Sequence, residues 1–195
     1  MWVSAQGIAR AGDFAASLRL WTFFDGDVPV GMSGSPNHVN FMCYMTLLST
    51  TSDNDLTRHN NALVAFSKKF PIVPEKKYLG FSHQWFIGSQ DGCSCCFRHL
   101  GGNSIELGFT IPVDWFHEDA AAIEATHQVC ATIRAMVATG AQVDVVDAWA
   151  HGQTEAAPLD NTINVNLAQI SDDTFRFFEN YRFVFSNDAT NASAT

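Results

Sequence analysis

The chain is short of positive charge. Eleven lysines and arginines stand against twenty aspartates and glutamates in 195 residues, a formal net charge of −9. A surface of that sign repels phosphate backbones and anionic headgroups, which argues against nucleic acid and membranes as partners. Long apolar runs are missing too. No stretch of about 18 apolar residues occurs, so no transmembrane helix is expected. The P-loop and the glycine fingerprint of dinucleotide-binding folds are absent, and Gly31-Met-Ser-Gly-Ser35 lacks the last glycine of a nucleophile elbow. No internal repeat is found. Cysteine is scarce and odd in number, five in all, which does not suit a secreted disulfide framework. A reducing cytoplasm is the expected compartment.

What the chain does have is aromatic bulk. Sixteen Phe and five Trp within a hydrophobic content of 47% supply enough volume for one packed core. Residues 1–41 differ in composition from the rest. Asp25-Gly-Asp-Val-Pro-Val-Gly-Met-Ser-Gly-Ser-Pro36 reads as linker, so 1–41 is taken as an N-terminal extension. Met42 is a candidate translation start. Its removal would expose Cys43 as an N-terminal nucleophile whose own amine could serve as base. Residues 42–186 form the expected domain, and 187–195 a polar, disordered tail.

Chemistry is concentrated in His83 to His99, which carries three of the five cysteines and two of the seven histidines. Asp91-Gly92 is the preferred dipeptide of a two-residue hairpin turn. A turn centred there predicts strands on both sides, with Gly88 opposite Cys95 and Phe86 opposite Phe97. Alternation then puts Cys93 and Cys95 on one face, about 6.5–7 Å apart at Cα, and Cys96 on the other, beside Ile87. That spacing suits a shared metal ion better than a disulfide. His99 would lie about 13 Å from Cys95 along a straight strand, beyond a common ion. Zinc takes four nitrogen or sulfur ligands, so Cys93 and Cys95 need help, and Cys43, His127 and His151 are the further candidates. Cys96 and Cys130 read as packed core thiols.

The remaining elements follow from periodicity and capping. Cys43–Thr50 reads as a first core strand, 55–66 as a short helix, and 105–111 as a half-buried strand. The longest helix is expected at about 118–139, ended by Gly140. Residues 142–149 read as a central strand interrupted by Asp144 and Asp147. A carboxylate in an apolar strand needs a partner, and His151 is the nearest candidate for Asp147. Further strands are expected at 162–167 and 181–185, with a short helix at 172–180 between them. The whole is an α+β single domain: a largely antiparallel mixed sheet with one long helix packed on a face.

Three functions fit these features. The first is a small cytoplasmic protein binding zinc or a similar thiophilic ion at Cys93-x-Cys95. The second is a cysteine-dependent enzyme, an N-terminal nucleophile or a thiol hydrolase or redox protein, drawing on Cys43, Asp147 and His151. The third is a non-catalytic interaction module with packed cysteines.

Overall fold

The computed structural model describes residues 43–89, 92–100, 118–150 and 154–187. The extension 1–41, the expected strand 105–111, His151 and the end of the tail lie outside the described residues.

A six-stranded sheet and one long helix make an α+β domain. The strands in chain order are β1 (Cys43–Thr50), β2 (Val64–Ser67), β3 (His83–Ser89), β4 (His99–Leu100), β5 (Val143–Ala150), β6 (Asn161–Asn166), β7 (Phe177–Phe178) and β8 (Tyr181–Ser186). The helix α1 spans Ala120–Ala138. The main sheet runs β2-β3-β1-β5-β8-β6, while β4 and β7 pair separately. All neighbours in the main sheet are antiparallel except β6 and β8. The centre, β1 against β5, pairs along all eight residues from Cys43↔Ala150 to Thr50↔Val143.

Both faces of the sheet are covered, which is why the central strands are apolar on both sides. Odd residues of β5 (Val143, Val145) and even residues of β1 (Leu48) join Trp85, Ile87, Phe183 and Phe185 under α1, whose Val129, Ile133 and Met136 face them. The opposite face buries Met45, Leu47, Phe86, Val146 and Ala148 beneath Val73 and Leu79. α1 starts with the Asp119 carboxylate accepting from the Ala121 N–H at 2.6 Å. It ends ahead of Gly140, whose φ of +87° is the left-handed turn that glycine takes without strain.

Two expected helices are not there. In place of a helix over 55–66 the chain makes one 3₁₀ turn, Leu56–His59, and then β2. Asn60 and Asn61 divert the backbone. Asn60 Oδ1 accepts from the Phe66 N–H at 2.6 Å, and Asn61 Oδ1 accepts from Leu63 and Val64. Asparagine side chains that capture nearby N–H groups compete directly with a helix. In place of a helix over 172–180, Ser171 caps a three-residue 3₁₀ turn, and the chain extends into β7. The Phe177 N–H is taken by the Arg98 carbonyl and the Glu179 N–H by that of Leu100. Extension also lets Phe175 and Phe177 reach Phe183, at ring separations of 5.7 and 6.1 Å.

Candidate metal centre

The second half of the expected hairpin is not a strand. β3 ends at Ser89, Gly92 takes a φ of +77°, and Ser89 N–H donates to the Cys93 carbonyl at 2.6 Å. From Cys93 to Phe97 the chain curls instead of running along β3. The cause is β1, which is longer than its partner. β3 covers β1 from Thr46 to Thr50 only, leaving the backbone groups of Tyr44 and Thr46 to be met by something else.

Ser94 meets them. Its N–H donates to the Tyr44 carbonyl at 3.1 Å, and its Oγ accepts from the Thr46 N–H at 2.8 Å. The same hydroxyl donates to the Ile87 carbonyl at 2.7 Å. The Ser94 carbonyl faces His99 Nε2 at 2.7 Å. Every hydrogen-bonding group of this fully buried serine is therefore engaged. Clamping Ser94 beside the start of β1 brings its two neighbours, Cys93 and Cys95, to Cys43. The three Sγ atoms lie within 4.8 Å of one another. Three sulfurs at Zn–S bonds of about 2.3 Å stand about 3.8 Å apart, so a contraction of no more than about 1 Å would close them on an ion.

This is the one group of three or more closely placed ligand side chains among the described residues. His127 is not part of it: its Nε2 lies 3.2 Å from an Asp173 carboxylate oxygen, without hydrogen-bond geometry. Cys130 is buried under the sheet and Cys96 half-buried. No helix among the described residues is long and apolar enough to cross a membrane.

Neither Cys43 nor Cys95 is an acidic thiol. Cys95 is exposed as a residue, but desolvation at its sulfur, helped by the contact with Cys93, pushes it up to about 12, and burial also raises Cys43. The Cys95 N–H donates to Cys93 Sγ at 3.4 Å. Among the described residues no base stands ready for them. Asp147 finds a partner in His99, with His99 Nδ1 2.8 Å from Asp147 Oδ2; His151, the expected partner, lies outside the described residues. With a carboxylate at one ring nitrogen and a carbonyl at the other, the imidazole is best satisfied doubly protonated. Burial opposes that charge, but Asp147 outweighs it and His99 is held above its ordinary value. The Tyr44 ring stacks on it at 4.0 Å, nearly parallel, and its own hydroxyl is pushed up to about 12 by burial and by Glu179.

A cavity of about 260 Å³ opens beside this group, with Cys95, Tyr44, His99, Arg98, Glu118 and Ala122 in its wall. Arg98 and Arg176 both chelate the Glu118 carboxylate, at 2.6 and 2.8 Å through their Nη2 atoms. Burial works against that charge, but the two guanidiniums hold Glu118 below the usual carboxylate range. Sequence reasoning missed Ser94, Tyr44 and this arginine pair. It set His99 aside because the segment was taken as straight. The signal that could have found His99 is Asp147 itself, a buried acid with few basic residues in the chain to pair with. No family model, no curated protein and no solved structure matches the chain.

Proposed function

We propose that the protein binds a thiophilic metal ion, zinc or one of similar preference, through Cys43, Cys93 and Cys95. The observation that supports this reading is the convergence of three sulfurs from two separate segments within 4.8 Å. A packed core gives no reason for it, since Cys95 is exposed and Cys43 and Cys93 are half-buried. The alternative of a cysteine nucleophile fares worse. A nucleophile needs a thiolate, yet Cys95 is raised to about 12 and the nearby imidazole has both nitrogens committed. An ion bound by thiolates supplies what those groups lack, because coordination itself drives deprotonation. Five cysteines with no disulfide among them suit a reducing compartment such as the cytoplasm.

Elemental analysis of untagged protein purified without chelator, with thiol counting on the same sample, tests this. About one ion per chain is expected, lost in each of Cys43→Ser, Cys93→Ser and Cys95→Ser and kept in Cys96→Ser. A metal-free protein that also refuses added zinc and cobalt would remove the reading.

A further inference from the structure

The sulfurs of Cys43, Cys93 and Cys95 lie within 4.8 Å of one another, and three converging thiols are a complete donor set for an element that takes three sulfurs and no more. Resting on the thiol convergence behind the metal reading above, and not on zinc itself, we propose that this group also captures trivalent arsenic, which enters as arsenite in its uncharged hydroxide form, As(OH)3.

The step is an exchange with no change of oxidation state. Each thiol sulfur forms a bond to arsenic, one hydroxyl leaves, and the thiol proton goes with it as water. Three thiols and one As(OH)3 therefore give one arsenic bonded to three sulfurs and three waters. Arsenic(III) keeps a lone pair at the remaining corner, so the three sulfurs form a pyramid that asks no further ligand of the chain. Its bonds to sulfur are close in length to those of zinc, about 2.3 Å, so a contraction of no more than about 1 Å serves here too. Soft thiolate sulfur is the ligand that such an element prefers.

Charge favours the same product. In the wall of the cavity beside the thiols, or bonded to that wall, Arg98, Arg176 and His99 stand against Glu118, Asp119, Asp147 and Glu179. Even with His99 counted as a cation, the carboxylates are not outnumbered. Three thiolates on a divalent ion leave one net negative charge, which these surroundings do not offset. Arsenic bonded to three sulfurs is uncharged, and so is the hydroxide that arrives, so neither carries the cost of burying an unpaired charge. The way in is open. Cys95 is exposed and lines the cavity of about 260 Å³, which is ample for so small a molecule.

Mass spectrometry of the full chain under non-denaturing conditions tests this. The protein, stripped of metal, is given arsenite in the presence of excess 2-mercaptoethanol, a monothiol that competes for any arsenic not held by converging sulfurs. One arsenic gained and three hydrogens lost per chain is expected, with Cys43, Cys93 and Cys95 shielded from a thiol label. Each of Cys43→Ser, Cys93→Ser and Cys95→Ser should weaken retention at least about a hundredfold, because a sulfur closing on a centre already held acts at a high effective concentration. Cys96→Ser should leave it unchanged. A chain that retains no arsenic would overturn the inference. So would arsenic that keeps a hydroxyl or a bound mercaptoethanol, or retention that survives any of the three substitutions. A protein that takes zinc or cobalt and refuses arsenite keeps the metal reading and loses this one. A protein that loses three hydrogens to arsenite and refuses zinc and cobalt does the reverse.

Discussion

Strand β5 buries two carboxylates, three residues apart and so on opposite faces of the sheet. Their surroundings begin alike. Asp144 stands opposite Ser49 in the β1 register and Asp147 opposite Thr46, and each accepts a hydrogen bond from that neighbour's hydroxyl. Both are fully buried, and each has drawn in a cation, as a buried charge must. The cations differ. Asp144 takes Arg182 from the adjacent strand β8, with Nε at 2.9 Å, and the Gly80 N–H at 2.9 Å. That network closes on itself: a permanent charge, a neighbouring strand and a loop. Asp147 takes His99, whose second nitrogen passes the connection on to Ser94 between Cys93 and Cys95. The same device is a fastening on one face and a link to the thiol group on the other. A buried acid in a strand is thus no guide to function until its partner is known to end there or to continue.

The largest effect that separates the two networks should come from Asp144→Ala. It would leave Arg182, the Ser49 hydroxyl and the Gly80 N–H facing a void, and breaking a buried ion pair from one side costs about 3–5 kcal/mol. Chemical denaturation should show the midpoint falling with the slope unchanged, while the variant, where folded, keeps its affinity for cobalt. A matching loss of cobalt affinity would break the comparison, because it would place Asp144 in the same linkage as Asp147.

The serines sharpen the contrast at a smaller scale. Ser94→Ala leaves the Thr46 N–H and the Ile87 carbonyl without the partner they have now. Ser49→Ala leaves the Phe81 N–H and Asp144 in the same position. Each should cost about 1–3 kcal/mol. Only Ser94→Ala should also weaken cobalt binding, by about tenfold or more, because it frees the loop that holds two of the three sulfurs. Equal cobalt affinity in both variants would show that the loop holds its shape without Ser94.

This contrast also marks where the sequence was readable. Strands with strict alternation or unbroken apolar runs, β1, β5, β6 and β8, could be read directly, and so could α1 with its acidic start and following glycine. Within the candidate site, Cys93 and Cys95 stood out by type and spacing, and Cys43 was among their possible companions. What could not be read was where backbone groups go when a strand outruns its partner. Tyr44 and Thr46 are satisfied by Ser94 from a non-strand segment, and nothing in Asp-Gly-Cys-Ser-Cys-Cys says so. Likewise Asn60-Asn61 looked compatible with a helix until their side chains were seen to hold the N–H groups of Leu63, Val64 and Phe66. These are choices between a local bond and a distant one, and the sequence shows only the local option.

The smallest effect is one of pH, and it belongs to one network alone. His99 is held above its ordinary value in the folded chain by Asp147. The folded state therefore keeps a proton that the unfolded chain gives up from about pH 6.5 upward. The stability this provides is present in full below that pH and is lost as pH rises through the folded value. The partner on the other face is a guanidinium, a group that does not titrate in this range. The cysteines add their own loss, but later. Burial raises Cys43, Cys95 and Cys130 in the folded state, so their contribution falls only once unfolded thiols ionise, from about pH 8.5. The stability of the metal-free chain, measured in the presence of chelator across this range, should therefore fall in two stages. In His99→Gln the first stage should vanish and the second remain. A first stage that survives the substitution would mean that another group carries it, and the distinction between a permanent and a titratable partner would lose its physical basis.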